Sequence, residues 1–206
     1  TFWVGNQTLE KSYAPVVATN DSVVLIDAFK SVFSFDKRKD HDLLTPLEHY
    51  LPSVSRSMLS LHMIGSHWWY EDRYTDKERI FTPVIDSKYI PALSPEQMIN
   101  SYDNTLVYLD RFLYQVIEKL KDFSGPSVMV YISDHGEQLG ENGKWLHAQA
   151  GEAAKNPAYM MWFSQRYQER FPENVAYFRE AAAQKTTTDR VYYDLLHICG
   201  IKTPNL

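Results

Sequence analysis

The longest periodic stretch in the chain is "SPEQMINSYDNTLVYLDRFLYQVIEKLKDFSG", residues 94 to 125. In it Met98, Tyr102, Leu106, Leu109, Leu113, Val116, Ile117 and Leu120 recur at helical spacing. That pattern predicts an amphipathic helix with one continuous apolar face. Ser94 fits the N-cap, Pro95 suits the first helical position, and Gln97 completes a capping box. Ser124-Gly125-Pro126 should end the helix. Directly after it comes "SVMVYIS", a short apolar run rich in β-branched residues, which reads as a strand buried on both faces. Fainter versions of that signal lie in "RSMLSLHMIG" (56 to 65) and "AYMMWFS" (158 to 164). "TDRVYYDLLHICGIKTP" closes as a helix, with Asp189 as its cap and Gly200 as its stop. Helices alternating with buried strands predict a single α/β domain with helices packed on a largely parallel sheet. There is no internal repeat and no low-complexity tract.

Composition narrows the function classes. With 206 residues, 44% of them apolar, the chain can build a substantial core. A net charge of -5, with no basic run longer than "DKRKD" at 36 to 40, argues against nucleic acid as the main partner. The "DKRKD" run reads as a solvated loop. The single cysteine, Cys199, rules out an internal disulfide and a Cys-based zinc cluster. No apolar stretch approaches the roughly 20 residues that a membrane helix needs. The opening "TFWVGNQ" lacks the charged and apolar regions of a signal peptide. The expectation is a soluble piece of a longer gene product, since the chain does not start with Met.

Candidate chemistry gathers at strand ends. In open α/β sheets the ligand crevice lies beyond the carboxyl ends of the strands, and Asp134-His135 falls at the end of the strongest candidate strand. A carboxylate beside an imidazole suits a divalent cation such as zinc, and Gly136 lets the backbone turn away at once. The competing reading is that Asp134 caps the next segment and His135 is a surface residue. "LHMIGSHWWY" places His62 and His67 at the end of another candidate strand, and "KWLHA" adds His147. If those strands are neighbours, the imidazoles converge to hold a metal or to bind an anionic group such as phosphate. His62 reads better as a core histidine. His67, beside Gly65 and Ser66, reads better as functional.

The segments "FWVGNQ", "LHMIGSH", "YDNTLVYLDRFLYQVIEKLK", "YISDHGEQLGENGKWLHA" and "LLHICGIKTP" together resemble the catalytic domain of the phosphoethanolamine transferases. These are membrane-anchored members of the sulfatase and alkaline-phosphatase superfamily. The likeness covers most of the chain in order, and the "SDHGEQLGENG…LH" block is its most specific part. It implies an alkaline-phosphatase-like α/β sheet with helices on both faces, residues 1–206 forming the C-terminal part of one catalytic domain. By this resemblance Asp134 and His135 are two ligands of a catalytic zinc. His67 and His147 match the histidines that bind the transferred phosphate group, or in some members a second zinc. Glu137 matches a residue that orients the ligands from behind. The implied reaction is double displacement, moving phosphoethanolamine from a phospholipid to lipid A or another cell-envelope glycan. Zinc would lower the pKa of a Thr nucleophile.

In the family both a Glu ligand and that Thr lie upstream of the segment matching "FWVGNQ", so the nucleophile is expected outside this chain. Thr45, Ser57 and Ser60 stand in no matching motif and read as cap or strand residues. Two protein ligands are too few for a tight zinc site, so this piece alone is expected to be inactive. Trp68 and Trp69 replace the family's usual Gly-Pro, and with Tyr70 they either pack or stack on a sugar or headgroup. Two rivals stay open, a sulfatase or phosphatase-type hydrolase on the same fold and a non-catalytic binding module. The resemblance places the domain in the periplasm of a bacterium, tethered to the inner membrane by upstream helices.

Overall fold

The computed structural model describes residues 1–7, 14–26, 38–51, 56–148 and 151–202. Its elements are β1 (Phe2–Gly5), α1 (Ala14–Val17), β2 (Ser22–Leu25), α2 (Leu44–Tyr50), β3 (Leu59–His62), α3 (Pro95–Asp122), β4 (Val128–Ile132), β5 (Tyr159–Phe163), α4 (Gln165–Arg170), α5 (Pro172–Ala181) and α6 (Arg190–Ile198). They divide into two compact units, Thr1–Lys119 with Ser133–Ala158, and Leu120–Ile132 with Tyr159–Leu206.

In the first unit β1 is the middle strand of a parallel sheet ordered β2-β1-β3. Val4 stands opposite Val24 on one side and Leu61 on the other. Four-residue strands carry too little periodicity to be read alone, and the pattern had revealed only β3. The core cluster beyond the sheet is Tyr70, Ile85 and Met98, with Trp68, Trp69, Leu93, Tyr102, Trp145 and Leu146 packed against it. The Trp68-Trp69-Tyr70 run therefore packs, and Tyr70 has no exposed surface.

Helix α3 begins as expected. The Ser94 N–H donates to Gln97 Oε1 at 2.9 Å and the Gln97 N–H donates to Ser94 Oγ at 3.1 Å, a closed capping box. Its buried face matches the apolar row only in part. Met98 and Val116 of that row are buried, but so are Ser101, Asn104 and Thr105, while Leu106 is 40% exposed. The reason is hydrogen bonding. Asn104 Oδ1 accepts the Ile80 and Phe81 N–H groups at 3.0 and 2.9 Å, and Ser101 Oγ accepts the Ile85 N–H at 2.9 Å. The loop packed on this face has backbone donors that apolar side chains would leave unsatisfied.

In the second unit β4 and β5 form an antiparallel pair, with Val130 opposite Met161. The three-stranded sheet is parallel, as a largely parallel arrangement predicts, whereas this pair is antiparallel, and β4 buries only Met129 rather than both faces. Ser164 Oγ caps α4 by accepting the Tyr167 N–H at 3.2 Å, and it also accepts the Ser127 N–H at 3.0 Å. Phe163 stacks on Tyr167 and Phe178. Helix α6 ends on Gly200 at φ 68°. The Gly200 N–H donates to His197 O and the Ile201 N–H to Leu196 O, a Schellman closure. Asp189 precedes α6, but its carboxylate caps no helix N–H.

Candidate functional site

The five residues singled out as site candidates meet in the first unit, on two segments that leave strands. Residues 62 to 68 leave β3. Gly65 takes φ 59°, a left-handed turn open to glycine at little cost, and it turns the chain towards Ser66 and His67. The second segment, 133 to 148, follows β4. There the Gly136 N–H donates to Ala154 O at 2.9 Å, and a Cβ at Gly136 would lie 2.0 Å from Ala153 O. Only glycine permits that approach.

Three imidazoles form a row. His135 and His147 stack with ring centroids 4.0 Å apart, and His67 lies 6.1 Å from His147. The expected route to convergence was neighbouring strands. In the described residues β3 pairs with β1 and β4 with β5, so loops bring the imidazoles together instead. His62 stays out of the row. It packs on the Trp3 ring at 5.1 Å, half-buried, and burial holds its pKa below the usual value. This is the core role the sequence favoured.

Backbone carbonyls set two of the tautomers. His135 Nδ1 is 2.8 Å from Gly136 O, and His67 Nδ1 is 2.5 Å from Trp68 O. A carbonyl only accepts, so each Nδ1 carries the proton and each neutral ring keeps its lone pair on Nε2. His135 Nε2 lies 3.7 Å from Asp134 Oδ1, and the Asp134 side chain is 91% exposed. Tetrahedral zinc with ligands at about 2.0–2.1 Å spaces them about 3.3 Å apart, so these two atoms suit neighbouring positions on one ion. Among the described residues no group of three or more His, Cys, Asp or Glu side chains is arranged to hold a metal. Asp134 and His135 thus fit half of a zinc site.

Glu137 stands behind the row with its side chain 5% exposed, its Oε1 3.7 Å from His147 Nδ1. Burial pushes its carboxyl above the ordinary value, against the pull of His147. His147 is placed by Leu146, which adopts φ 63°, a region rarely taken by leucine. Two bonds to Gln138 hold it there. The Leu146 N–H donates to Gln138 O, and Gln138 Nε2 donates to Leu146 O, each at 3.0 Å. Of the nucleophiles set aside from the sequence, Thr45 lies in α2 and Ser60 in β3.

Sequence reading missed the residues that hold the first segment. Asp40, in the run taken for a solvated loop, is 2% exposed. Its Oδ1 accepts Asn6 Nδ2–H at 2.8 Å and the Ile64 N–H at 2.9 Å, and its Oδ2 accepts the Gly65 N–H at 2.9 Å. Burial raises its carboxyl pKa, while Asn6 and the two backbone N–H groups pull it down. Lys39 beside it donates to Asp72 O at 2.5 Å. Residues 36 and 37 of the run lie outside the described residues. Arg73, buried as well, donates to the carbonyls of His67 and Trp68. No local pattern marks either residue, because their partners are distant in sequence or are backbone atoms.

The fold agrees with what the chain is similar to. It belongs to the sulfatase family, whose profile matches residues 1–201. Phosphoethanolamine transferase EptA of Escherichia coli strain K12 is 36% identical over 173 residues, covering 80% of this chain and 32% of that protein. The soluble domain of lipooligosaccharide phosphoethanolamine transferase A from Neisseria meningitidis shares 30% identity at a TM-score of 0.81, covering 96% of this chain and 61% of that one. The C-terminal periplasmic domain of EptC from Escherichia coli, solved in complex with zinc, has a TM-score of 0.69, covering 83% of this chain and 50% of that one. At 21% identity that likeness shows a shared fold. The chain spans about a third of the length of the curated EptA that it matches. Among the described residues no helix is long and apolar enough to cross a membrane.

Proposed function

We propose that this chain is the C-terminal part of the catalytic domain of a zinc-dependent phosphoethanolamine transferase. It would use a phospholipid donor and a lipid A or other cell-envelope glycan acceptor, at the periplasmic face of a bacterial inner membrane. The observation that carries this reading is the row of His67, His147 and His135, with Asp134 at one end and Glu137 behind it. An anion-binding pair of imidazoles beside a carboxylate-imidazole metal pair is what phosphoryl transfer needs.

Asp134 and His135 would hold the zinc, His135 through Nε2 because the Gly136 carbonyl keeps its Nδ1–H occupied. When bound, zinc supplies a lowered pKa for the nucleophilic hydroxyl and charge for the phosphoryl oxygens. His67 and His147 would bind those oxygens, each donating N–H when charged. Glu137 would keep His147 turned towards the phosphate. The nucleophile is a threonine outside these 206 residues. Its oxygen bonds to phosphorus as the diacylglycerol oxygen leaves with the threonine's proton, and the glycan oxygen then bonds to phosphorus as the threonine oxygen leaves, taking up the glycan hydroxyl's proton.

The test is transfer by the intact protein from phosphatidylethanolamine in detergent micelles to purified lipid A, read by mass spectrometry alongside zinc content. Asp134→Ala is expected to lower transfer about a hundredfold or more and to deplete zinc. Undiminished transfer in that variant would remove Asp134 from the metal site. Release of phosphoethanolamine to water alone would indicate a hydrolase, and metal-free protein with no turnover would indicate a binding module.

A further inference from the structure

Between β3 and Arg73 the chain is held from outside itself at almost every step. The Asn6 N–H donates to His62 O at 2.8 Å and Gln7 Nε2 donates to Met63 O at 2.6 Å. The two oxygens of Asp40 take the N–H groups of Ile64 and Gly65. The hydroxyls of Ser66 and Thr105 are 2.7 Å apart. After these come His67 and Trp68, whose carbonyls are both claimed by one side chain. Arg73 Nε donates to His67 O at 2.7 Å and Arg73 Nη2 to Trp68 O at 3.2 Å.

We infer that Arg73 is a positioning residue for His67. Its guanidinium fixes the Trp68 carbonyl that receives the His67 Nδ1–H, and so dictates which imidazole nitrogen carries the lone pair. Two features argue for this over simple closure of the 67–73 turn. The turn already has its own backbone bonds, Asp72 N–H to Trp69 O at 3.1 Å and Arg73 N–H to Tyr70 O at 2.8 Å. And of the carbonyls from 67 to 72, the guanidinium takes the two that flank the His67 ring, with the planar two-donor fork that only arginine offers. Arg73 is 6% exposed. Burial works against its charge, and Asp72 and Asp40 are the carboxylates that offset the loss. A cation kept in so dry a place has a defined direction, which a surface arginine lacks.

The consequence concerns the phosphate-binding role given to His67 above, and the inference rests on that reading for its purpose but not for its test. With Nδ1–H committed to Trp68 O, Nε2 is the one ring atom that changes between lone pair and donor. His67 then meets a phosphoryl oxygen through a single atom in a fixed direction. Without Arg73 the Trp68 carbonyl loses that donor, and the Nδ1–H form of the His67 ring loses the support that carbonyl gives it.

The experiment is a long-range proton–nitrogen correlation spectrum of the intact protein in detergent micelles. Histidines are labelled with nitrogen-15, and the pH is about 8.5, where an imidazole of ordinary pKa is neutral. His67→Gln assigns the His67 signals. In the unsubstituted protein His67 is expected as the pure Nδ1–H form. In Arg73→Gln its Nδ1 resonance should move from the protonated towards the lone-pair range, while His135, held by Gly136 O without help from Arg73, keeps its Nδ1–H form. Arg73→Lys preserves the charge but spans at most one of the two carbonyls, and it decides the matter should the glutamine variant fail to fold. A His67 shift there with His135 unchanged supports the inference. His67 remaining purely Nδ1–H in a folded Arg73 variant, or lacking that form in the unsubstituted protein, overturns it. Because the readout is a tautomer rather than turnover, a failure of the transferase assignment is separately visible in the transfer assay.

Discussion

Two segments build the site, and they are held in opposite ways. Residues 62 to 73 depend on anchors from elsewhere: Asp40 lies 24 positions from Ile64, and Thr105 lies 39 from Ser66. Residues 133 to 148 are held largely among themselves, with the Gly136 bond to Ala154 O and the Ser133 bond to Ala158 O as outside ties. The Leu146 N–H and the Gln138 side chain tie that loop to itself across eight positions, Leu139 and Trp145 form a β-bridge, and the Gly140 N–H reaches Lys144 O at 2.9 Å. A loop closed by near neighbours leaves a compact motif in the sequence. One closed from a distance leaves scattered residues of ordinary appearance.

That contrast can be broken at either end. The largest effect is expected from Asp40→Ala, which leaves the Asn6 side chain and the Ile64 and Gly65 N–H groups without their buried acceptor. At about 1–3 kcal/mol per orphaned group, urea denaturation should show a loss of about 3 kcal/mol or more. Only a small loss would mean that water replaces the carboxylate and the segment is less dry than its burial implies. Next comes Gly136→Ala on the self-held loop. Its Cβ would meet the Ala153 carbonyl at 2.0 Å, so the backbone must move, at about 1–3 kcal/mol, and the stacking of His135 on His147 should be lost. Histidine ring shifts in nuclear magnetic resonance spectra check the second part.

A smaller change sharpens the comparison. Gly65→Ala meets nothing within 4 Å, so its cost is the left-handed backbone alone, about 1 kcal/mol in the same denaturation experiment. A cost near that of Asp40→Ala would show that the turn, not the carboxylate, dominates the first segment.

The smallest effect is on pH dependence. His41, next to Asp40, packs against Tyr108 and Phe112, and among the described residues neither of its buried ring nitrogens has a hydrogen-bond partner. Burial lowers its pKa with help from Arg111, while Glu78, Asp40 and Asp42 oppose the shift. With the folded value below the unfolded 6.5, the unfolded chain binds the extra proton. His41's contribution is therefore intact above pH 6.5 and fades as the pH falls through that value towards the folded one. His41→Phe should make the fall in stability just below pH 6.5 shallower, with His62 contributing to what remains. An unchanged slope would show that His41 takes up its proton as readily in the folded protein.

How much was legible follows from the same physics. The capping box of α3, the strands β3, β4 and β5, and the Gly200 stop were readable because each is decided within a few residues by periodicity or a local hydrogen bond. The block from Ser133 to His147 was readable as a motif for the same reason, and it carried the family likeness. The pairing of β4 was not, since an apolar run of five residues looks alike in parallel and antiparallel sheets. Nor was the polar part of α3's buried face, because Asn104 and Ser101 are buried by what a loop needs rather than by what the helix prefers.

By itself, then, the sequence determined the helices and strands with strong local signals, the sulfatase-type block, and the list of candidate side chains for a metal and a phosphate. Tertiary structure alone decided that β1 lies between β2 and β3, and that Asp40 is an interior anchor rather than a surface charge. It also decided that Arg73 governs the carbonyls around His67. Periodicity and capping are settled by neighbours along the chain. Desolvation, strand pairing and the aim of an imidazole are settled by groups that become neighbours only when the chain folds.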